Sequence, residues 1–199
     1  MIKRLNTAPQ AKLVIQEVIE KMEKEEKKRH SYYSLVHENI KAEFINGTII
    51  YQSPVKAKHW KISSKLSSRL IRHVEDESLG LVAVEKAMIS LTRNDYEPDI
   101  CFWKKEIAER FSDDQMQFPA PDFIVEILSP STEKLDRNEK FIDYSAHGVV
   151  EYWIVDPEAK AIEKYVNSDG VYQLVEKVKQ GNLNSEVVKG FFIEITLLF

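Results

Sequence analysis

The chain has 199 residues, 43% of them hydrophobic and 30% charged, with a formal net charge of −4. That length supports one soluble domain with a real core, and the acidic balance means any nucleic-acid contact must come from a local basic surface. One cysteine, Cys101, excludes an internal disulfide, and no run of 18 apolar residues or apolar leader is present, so a reducing, cytoplasmic setting without a membrane span is expected.

Residues 8 to 29 read as a helix, because Leu13, Val14, Val18, Ile19 and Met22 recur at helical spacing. The mixed charges that close it, EKEEKKRH, suit a solvated helix end better than a binding arm. AEFINGTII follows, with Asn46-Gly47 between apolar runs, a two-residue hairpin signal. A second helix is predicted from Ala57 to Val74, with Ile62, Leu66, Leu70 and Val74 as its buried stripe. Lys58, Lys61, Lys65, Arg69 and Arg72 fall on an adjacent stripe within about 80° of arc. That stripe could follow a phosphate backbone, or it could be an ordinary basic solvent face. His59 projects to the apolar side, as a hydrogen-bonded core histidine or as a group facing an acidic site.

Three strands come next. LVAVEKAMISL alternates, with Leu81, Ala83, Ala87, Ile89 and Leu91 on one face. Glu85 interrupts that face, as a third acid or, more in keeping with its place, a strand end turned to water. Asp99 opens the second strand, EPDICFW, and shares a face with Cys101 and Trp103. The charged stretch from Lys104 to Ala120 reads as a short helix and a loop. The third strand, Asp122 to Leu128, is apolar on both faces, as in a central strand covered by helices. Glu126 stands in its middle, where an ionised carboxylate costs several kcal/mol unless paired. Two acids on neighbouring strands point to a divalent metal site. Asp122 lies about 13 Å along the strand from Glu126 and reads as a strand-start residue.

Asp136, with Glu139 three residues later, is a capping-box-like start for the next helix, and Gly148 is suited to end it. EYWIVDP is a fourth strand, so the crossover makes a parallel strand pair. A terminal hairpin, AIEKYV to YQLVEKV, and an apolar end, GFFIEITLLF, complete the chain. The expected fold is mixed α/β: a mixed central sheet flanked by helices, in the order helix, three strands, helix, strand, plus the hairpin.

That order, with Pro98-Asp99 at one strand and Glu126 in the next, resembles the core of the PD-(D/E)XK nucleases. AEFINGTII, the helix opened by His59, EPDICFW, PDFIVEILSPST, the Asp136-to-Lys140 helix, HGVVEYWIVDP and GFFIEITLLF together look like the Uma-two family of restriction-endonuclease-like proteins. The resemblance covers residues 33 to 199, which leaves residues 1 to 32 as an N-terminal helical extension. It implies a metal-dependent endonuclease that hydrolyses DNA phosphodiester bonds. Asp99 and Glu126 match the two superfamily acids and would bind Mg²⁺ or Mn²⁺, with the Ile127 carbonyl as third ligand. The superfamily lysine belongs two residues after the second acid, where this chain has Leu128. The family pattern places a lysine on the following helix instead, at Lys140. An i,i+4 pair with Asp136 is the structural alternative for Lys140, worth about 0.3–0.5 kcal/mol on an exposed helix. Glu43 matches a recurrent family glutamate, as an accessory group or a structural one.

Lys58, Lys61, Lys65 and Arg69 would then contact DNA. Cleavage of both strands calls for two sites, which leaves a symmetric homodimer open. A nuclease fold that binds nucleic acid or a protein without cutting is the main alternative, favoured by Leu128. A hydrolase for a small phosphoester is a third reading. Without metal, two close carboxylates are expected to raise one apparent pKa, so that removing either charge stabilises the protein.

Overall fold

A computed structural model describes residues 8–37 and 40–199. The chain forms two compact units. One takes in the chain up to Gln52 together with Thr92–Tyr96; the other holds Ser53–Leu91 and Glu97–Phe199. The boundary expected near residue 32 falls inside the first helix.

The first unit is built on helix α1 (Ala11–Leu35) and the hairpin of β1 (Ala42–Ile45) and β2 (Thr48–Tyr51). Asn46 and Gly47 take φ values of 50° and 79°, so this is the left-handed two-residue turn that Asn-Gly predicts. The register is Ile45↔Thr48 and Phe44↔Ile49. A two-residue strand, β5 (Asp95–Tyr96), pairs with β1 through Phe44↔Asp95. The helix is held to this small sheet mainly by charge. Arg29 makes two bonds to Asp95, of 2.7 and 2.8 Å, and Arg93 makes two to Glu25, of 2.7 and 2.9 Å. Tyr32 packs on Phe44 and donates its hydroxyl to the Ala42 carbonyl at 2.6 Å. The helix is longer than its sequence pattern predicts, and the apolar residues that predict it are exposed: Leu13, Val14, Val18, Ile19 and Met22 all stand in solvent.

The second unit contains helix α2 (Ala57–Asp76) and a six-stranded mixed sheet. Its strands are β3 (Gly80–Val84), β6 (Ile100–Lys104), β8 (Phe123–Ile127), β9 (Glu151–Asp156), β10 (Ala161–Ser168) and β11 (Val171–Val178). Their order is β11-β10-β9-β8-β6-β3. Only β8 and β9 run parallel, as the crossover requires. One face of the sheet buries Phe123, Val125, Ile127, Trp153 and Val155 against Ile62, Leu66, Leu70 and Val74 of α2. The predicted stripe of that helix is therefore its core face. The apolar C-terminus closes the same core with Phe191, Ile193 and Leu198, around the short hairpin of β12 (Asn182–Asn184) and β13 (Phe192–Glu194).

LVAVEKAMISL does not form one strand. Glu85 and Lys86 take φ values of 53° and 46°, which breaks the ladder. The chain resumes as β4 (Met88–Ser90), parallel to β7 (Gln117–Phe118) beyond the one-turn helix α3 (Lys105–Ala108). The crossover is also more segmented than its pattern. It comprises α4 (Glu133–Arg137) and α5 (Glu139–Ala146), with Asn138 at φ −124°, ψ −82° between them. Asp136 lies inside α4, and Asn138, not Asp136, precedes α5; Asp136 is 1% exposed. α5 covers the second face of the sheet, where Phe141 and Tyr144 meet Tyr152 edge to face.

Candidate active site

The ladder of β6 and β8 pairs Ile100 with Val125. One step further along, Asp99 faces Glu126. The antiparallel register thus brings together two acids that are 27 residues apart in sequence. The Asp99 main-chain N–H lies 3.4 Å from Glu126 Oε2, and the Ile127 N–H donates to Asp99 Oδ2 at 2.7 Å. Both acids are buried, at 9% and 4% exposure.

Lys140 enters from α5. Its Nζ is 2.9 Å from Glu126 Oε1 and 3.4 Å from Asp136 Oδ1, and the residue is 2% exposed. The break at Asn138 lets the last turn of α4 and the first turn of α5 present Asp136 and Lys140 to the same point. The functional and structural readings of Lys140 therefore coincide in geometry: it pairs with Asp136 and reaches Glu126. Leu128 continues the strand as an apolar, buried residue, its N–H bonded to the Val155 carbonyl. No lysine stands at the strand position, and a helix lysine reaches the acid instead.

Sequence reasoning missed Tyr144 as a polar member of this cluster. Its hydroxyl donates to Glu126 Oε1 at 3.0 Å. The signal was present in the spacing: Tyr144 lies four residues after Lys140, on the same helix face. Tyr152 then donates to the Asp136 carbonyl at 3.1 Å, tying α4 to the sheet.

His59 faces the acids. Its Nε2 is 3.2 Å from Asp99 Oδ2, while its buried Nδ1 has no hydrogen-bond partner among the described residues. Burial works against a charged ring here. The hydrogen bond and charge of Asp99 outweigh it, with smaller help from the Ile127 main chain and Glu85, so His59 is held above its ordinary pKa. Glu85 sits half-buried at the end of β3, and its N–H donates to the Asp99 carbonyl at 2.9 Å. Glu43 belongs to the first unit, where it is fully buried in β1 and accepts from Gln52 at 2.9 Å.

The expectation of two mutually repelling carboxylates needs correction. Glu126 is bonded by an ammonium and a phenol, and Asp99 by an imidazole and an N–H. Removing either charge leaves a buried cation or donor behind, which destabilises rather than stabilises.

The fit to a divalent ion follows from the remaining oxygens. Asp99 Oδ1 accepts no hydrogen bond among the described residues, and Glu126 Oε2 lies 3.4 Å from the Asp99 N–H. Together with the Ile127 carbonyl these are hard oxygen donors, suited to Mg²⁺ with its retained waters. Among the described residues no group of three or more His, Cys, Asp or Glu side chains forms a fuller cage. Asp99, Glu126 and the Ile127 carbonyl are the groups that would hold such an ion, with water completing its shell.

The basic stripe of α2 is uneven. Lys61 and Arg69 are exposed. Lys58 is engaged with Glu158, and Lys65 donates to the Leu198 carbonyl at 3.2 Å. Arg72 is 3.6 Å from Asp76. No described helix is long and apolar enough to cross a membrane.

Comparison with known proteins now adds the family. The chain is 30% identical over 128 residues to the protein sll1609 of Synechocystis sp. (strain ATCC 27184 / PCC 6803 / Kazusa), covering 63% of this chain and 71% of that one. A crystal structure described as "a putative nuclease belonging to DUF820" from Anabaena variabilis ATCC 29413 superposes with a TM-score of 0.72. It shares 21% identity over 84% of this chain and 94% of that chain, which supports the same mixed α/β fold. The family described as "Uma2: Putative restriction endonuclease" matches residues 12–196, and the chain belongs to this family.

Proposed function

We propose that the cluster of Asp99, Glu126 and Lys140 is the active site of a metal-dependent endonuclease acting on DNA. The observation that carries this reading is the meeting of Asp99 and Glu126 across β6 and β8, with Lys140 at 2.9 Å from the second acid. Mg²⁺ or Mn²⁺ held by the Asp99 and Glu126 carboxylates and the Ile127 carbonyl would supply a water of lowered pKa and offset phosphate charge. The chain's own groups do the rest. Lys140 places a positive charge where negative charge develops in phosphoryl transfer. Asp136 and Tyr144 hold that lysine and Glu126 in register. His59 fixes the Asp99 carboxylate with Oδ1 outward. Lys61 and Arg69 offer exposed charge to a phosphate backbone, with smaller parts for Lys58 and Lys65.

The test is cleavage of plasmid, single-stranded DNA and a generic phosphodiester with Mg²⁺, Mn²⁺ or chelator. Nicking or cutting of DNA should need the metal. Asp99→Ala and Glu126→Ala should abolish it, and Lys140→Ala should slow it by roughly 10²–10³ while DNA binding persists. Leu128 at the strand position favours a second reading, a nuclease fold that binds without cutting. DNA binding without cleavage under any metal would select that reading. Cleavage of the generic phosphodiester alone would select a small-substrate hydrolase.

A further inference from the structure

The face of α1 that packs on its own unit continues, uncovered, for three more turns. Glu25, Arg29 and Tyr32 are its buried members. Counting back from Glu25 at steps of 3 and 4 gives Met22, Val18, Ile15 and Ala11, the spacing of a coiled-coil seam. At 100° per residue these four lie within about 60° of arc, flanked by Val14 and Ile19. Ile15, Val18, Ile19 and Met22 are 48 to 52% exposed, Val14 is 43% exposed, and nothing among the described residues covers them. Scattered apolar residues need no explanation, but a contiguous apolar stripe in heptad register does.

We propose that this stripe is a self-association surface, occupied by α1 of a second copy of the chain running antiparallel. Three observations select that occupant. The first is steric. From Glu25 onward the seam is filled by the chain's own hairpin unit, so a parallel partner helix would run into that unit. An antiparallel partner leaves the seam past Ala11, away from it. The second is size. An antiparallel register opposing Ile15 to Val18 of the second copy also opposes Ala11 to Met22, so the smallest residue of the stripe meets its longest and the two β-branched residues meet each other. The third is charge. The segment Ala11–Met22 carries Lys12, Lys21, Glu17 and Glu20, which cancel, so two copies do not repel. In the same register Lys12 lies beside Ile19 and Lys21 beside Val14, where lysine stems can cover the apolar rim. The contact is about 17 Å long, so a reversible dimer is expected and not an obligate one.

Sedimentation of the full chain from about 1 to 200 μM tests the proposal without reference to activity. The expected result is a monomer–dimer equilibrium, with doubled mass at the upper end. Ile15→Glu combined with Val18→Glu should leave a monomer throughout. Leu13→Glu should not, because Leu13, although 68% exposed, points to the opposite side of α1. Since exposed substitutions can still perturb the helix, a second arm uses cross-linking. Ile15→Cys with Val18→Cys should give a disulfide-linked dimer on mild oxidation, and Leu13→Cys should not; the native Cys101 is buried. A wild-type chain that stays monomeric at 200 μM overturns the proposal. So does dissociation by Leu13→Glu equal to that of the double variant, or equal cross-linking through Leu13→Cys.

Discussion

Two glutamates are buried on adjacent parallel strands of the same sheet, and their surroundings differ in kind. Glu126 on β8 is bonded by the Lys140 ammonium and the Tyr144 hydroxyl through one oxygen, and its other oxygen lies 3.4 Å from the Asp99 N–H. Glu151 on β9 meets no cation among the described residues. It accepts from Trp153 at 2.6 Å, Ser185 at 2.9 Å, and the N–H groups of Glu186 and Val187 at 2.8 and 2.9 Å. Those donors reach both of its oxygens, and three of them knot the C-terminal segment onto the sheet. Burial alone does not mark a carboxylate as functional. What separates the two is the lysine counterion at Glu126 and the second acid set beside it.

Glu126→Gln should break this contrast most strongly. It removes the nearer of the two carboxylates paired with Lys140, which is 2% exposed, a loss of about 3–5 kcal/mol by analogy with other broken buried pairs. Denaturant melts without metal read this directly, and adding Lys140→Met to Glu126→Gln should recover part of the loss. A melt unchanged in Glu126→Gln would mean that the ammonium finds water easily, against its buried position.

The pH dependence sharpens the comparison with opposite signs at two acids. Burial, only partly offset by its hydrogen bonds, pushes the Glu151 carboxyl above the ordinary carboxylate range. Its contribution is therefore full below that range and is lost as pH rises through the raised folded value. Glu163 on β10 behaves in the other sense. Burial opposes its charge, but hydrogen bonds from Arg137, Lys177 and Tyr165 outweigh that and bring it down to about 2. Its contribution is present above the ordinary range and is lost as pH falls toward about 2. Stability curves from pH 2 to 7 should lose part of their acid-side fall in Glu163→Gln. In Glu151→Gln they should instead lose a component that declines with rising pH. The same limb altered in both variants would contradict these assignments.

The smallest effects belong to the surface. Lys61→Ala and Arg69→Ala should each lower the log–log salt slope of DNA binding by about one unit if they contact phosphate. Lys58→Ala and Lys65→Ala should lower it less, because Lys58 is engaged with a carboxylate and Lys65 is only half-exposed, whereas Arg69, although it donates to the Lys65 carbonyl at 2.8 Å, stays exposed. Equal losses at all four positions would show that the internal contacts give way to DNA.

Much of this arrangement was legible in the residues. Asn46-Gly47 gave the hairpin turn, because few other pairs adopt two left-handed conformations in succession. The spacing of Ile62, Leu66, Leu70 and Val74 gave the core face of α2. The alternation in PDFIVEIL put Glu126 on the face opposite Phe123, Val125 and Ile127. Other features were hidden because they depend on tertiary contact. Glu85 and Lys86 have no residue type that announces a left-handed break. Asp136 looked like a helix cap because a capping pattern and a charge-pairing pattern use the same residues at nearby spacings. Tyr144 looked like core, and it is core, but its hydroxyl also donates to Glu126. The stripe of α1 was read correctly as helical, while its burial could not follow from periodicity alone.

Placing the lysine on the crossover and not on the strand also matters for how the chain reaches its fold. Lys140 and Glu126 are 14 residues apart, whereas Glu126 and Asp99 are 27 apart. The shorter loop has the smaller closure entropy, and contacts of low sequence separation tend to be made early. The crossover therefore carries the acid and its counterion on one short stretch of chain. If that stretch collapses onto the sheet as a unit, the carboxylate and its counterion leave water together, which lowers the desolvation cost a bare ion would meet.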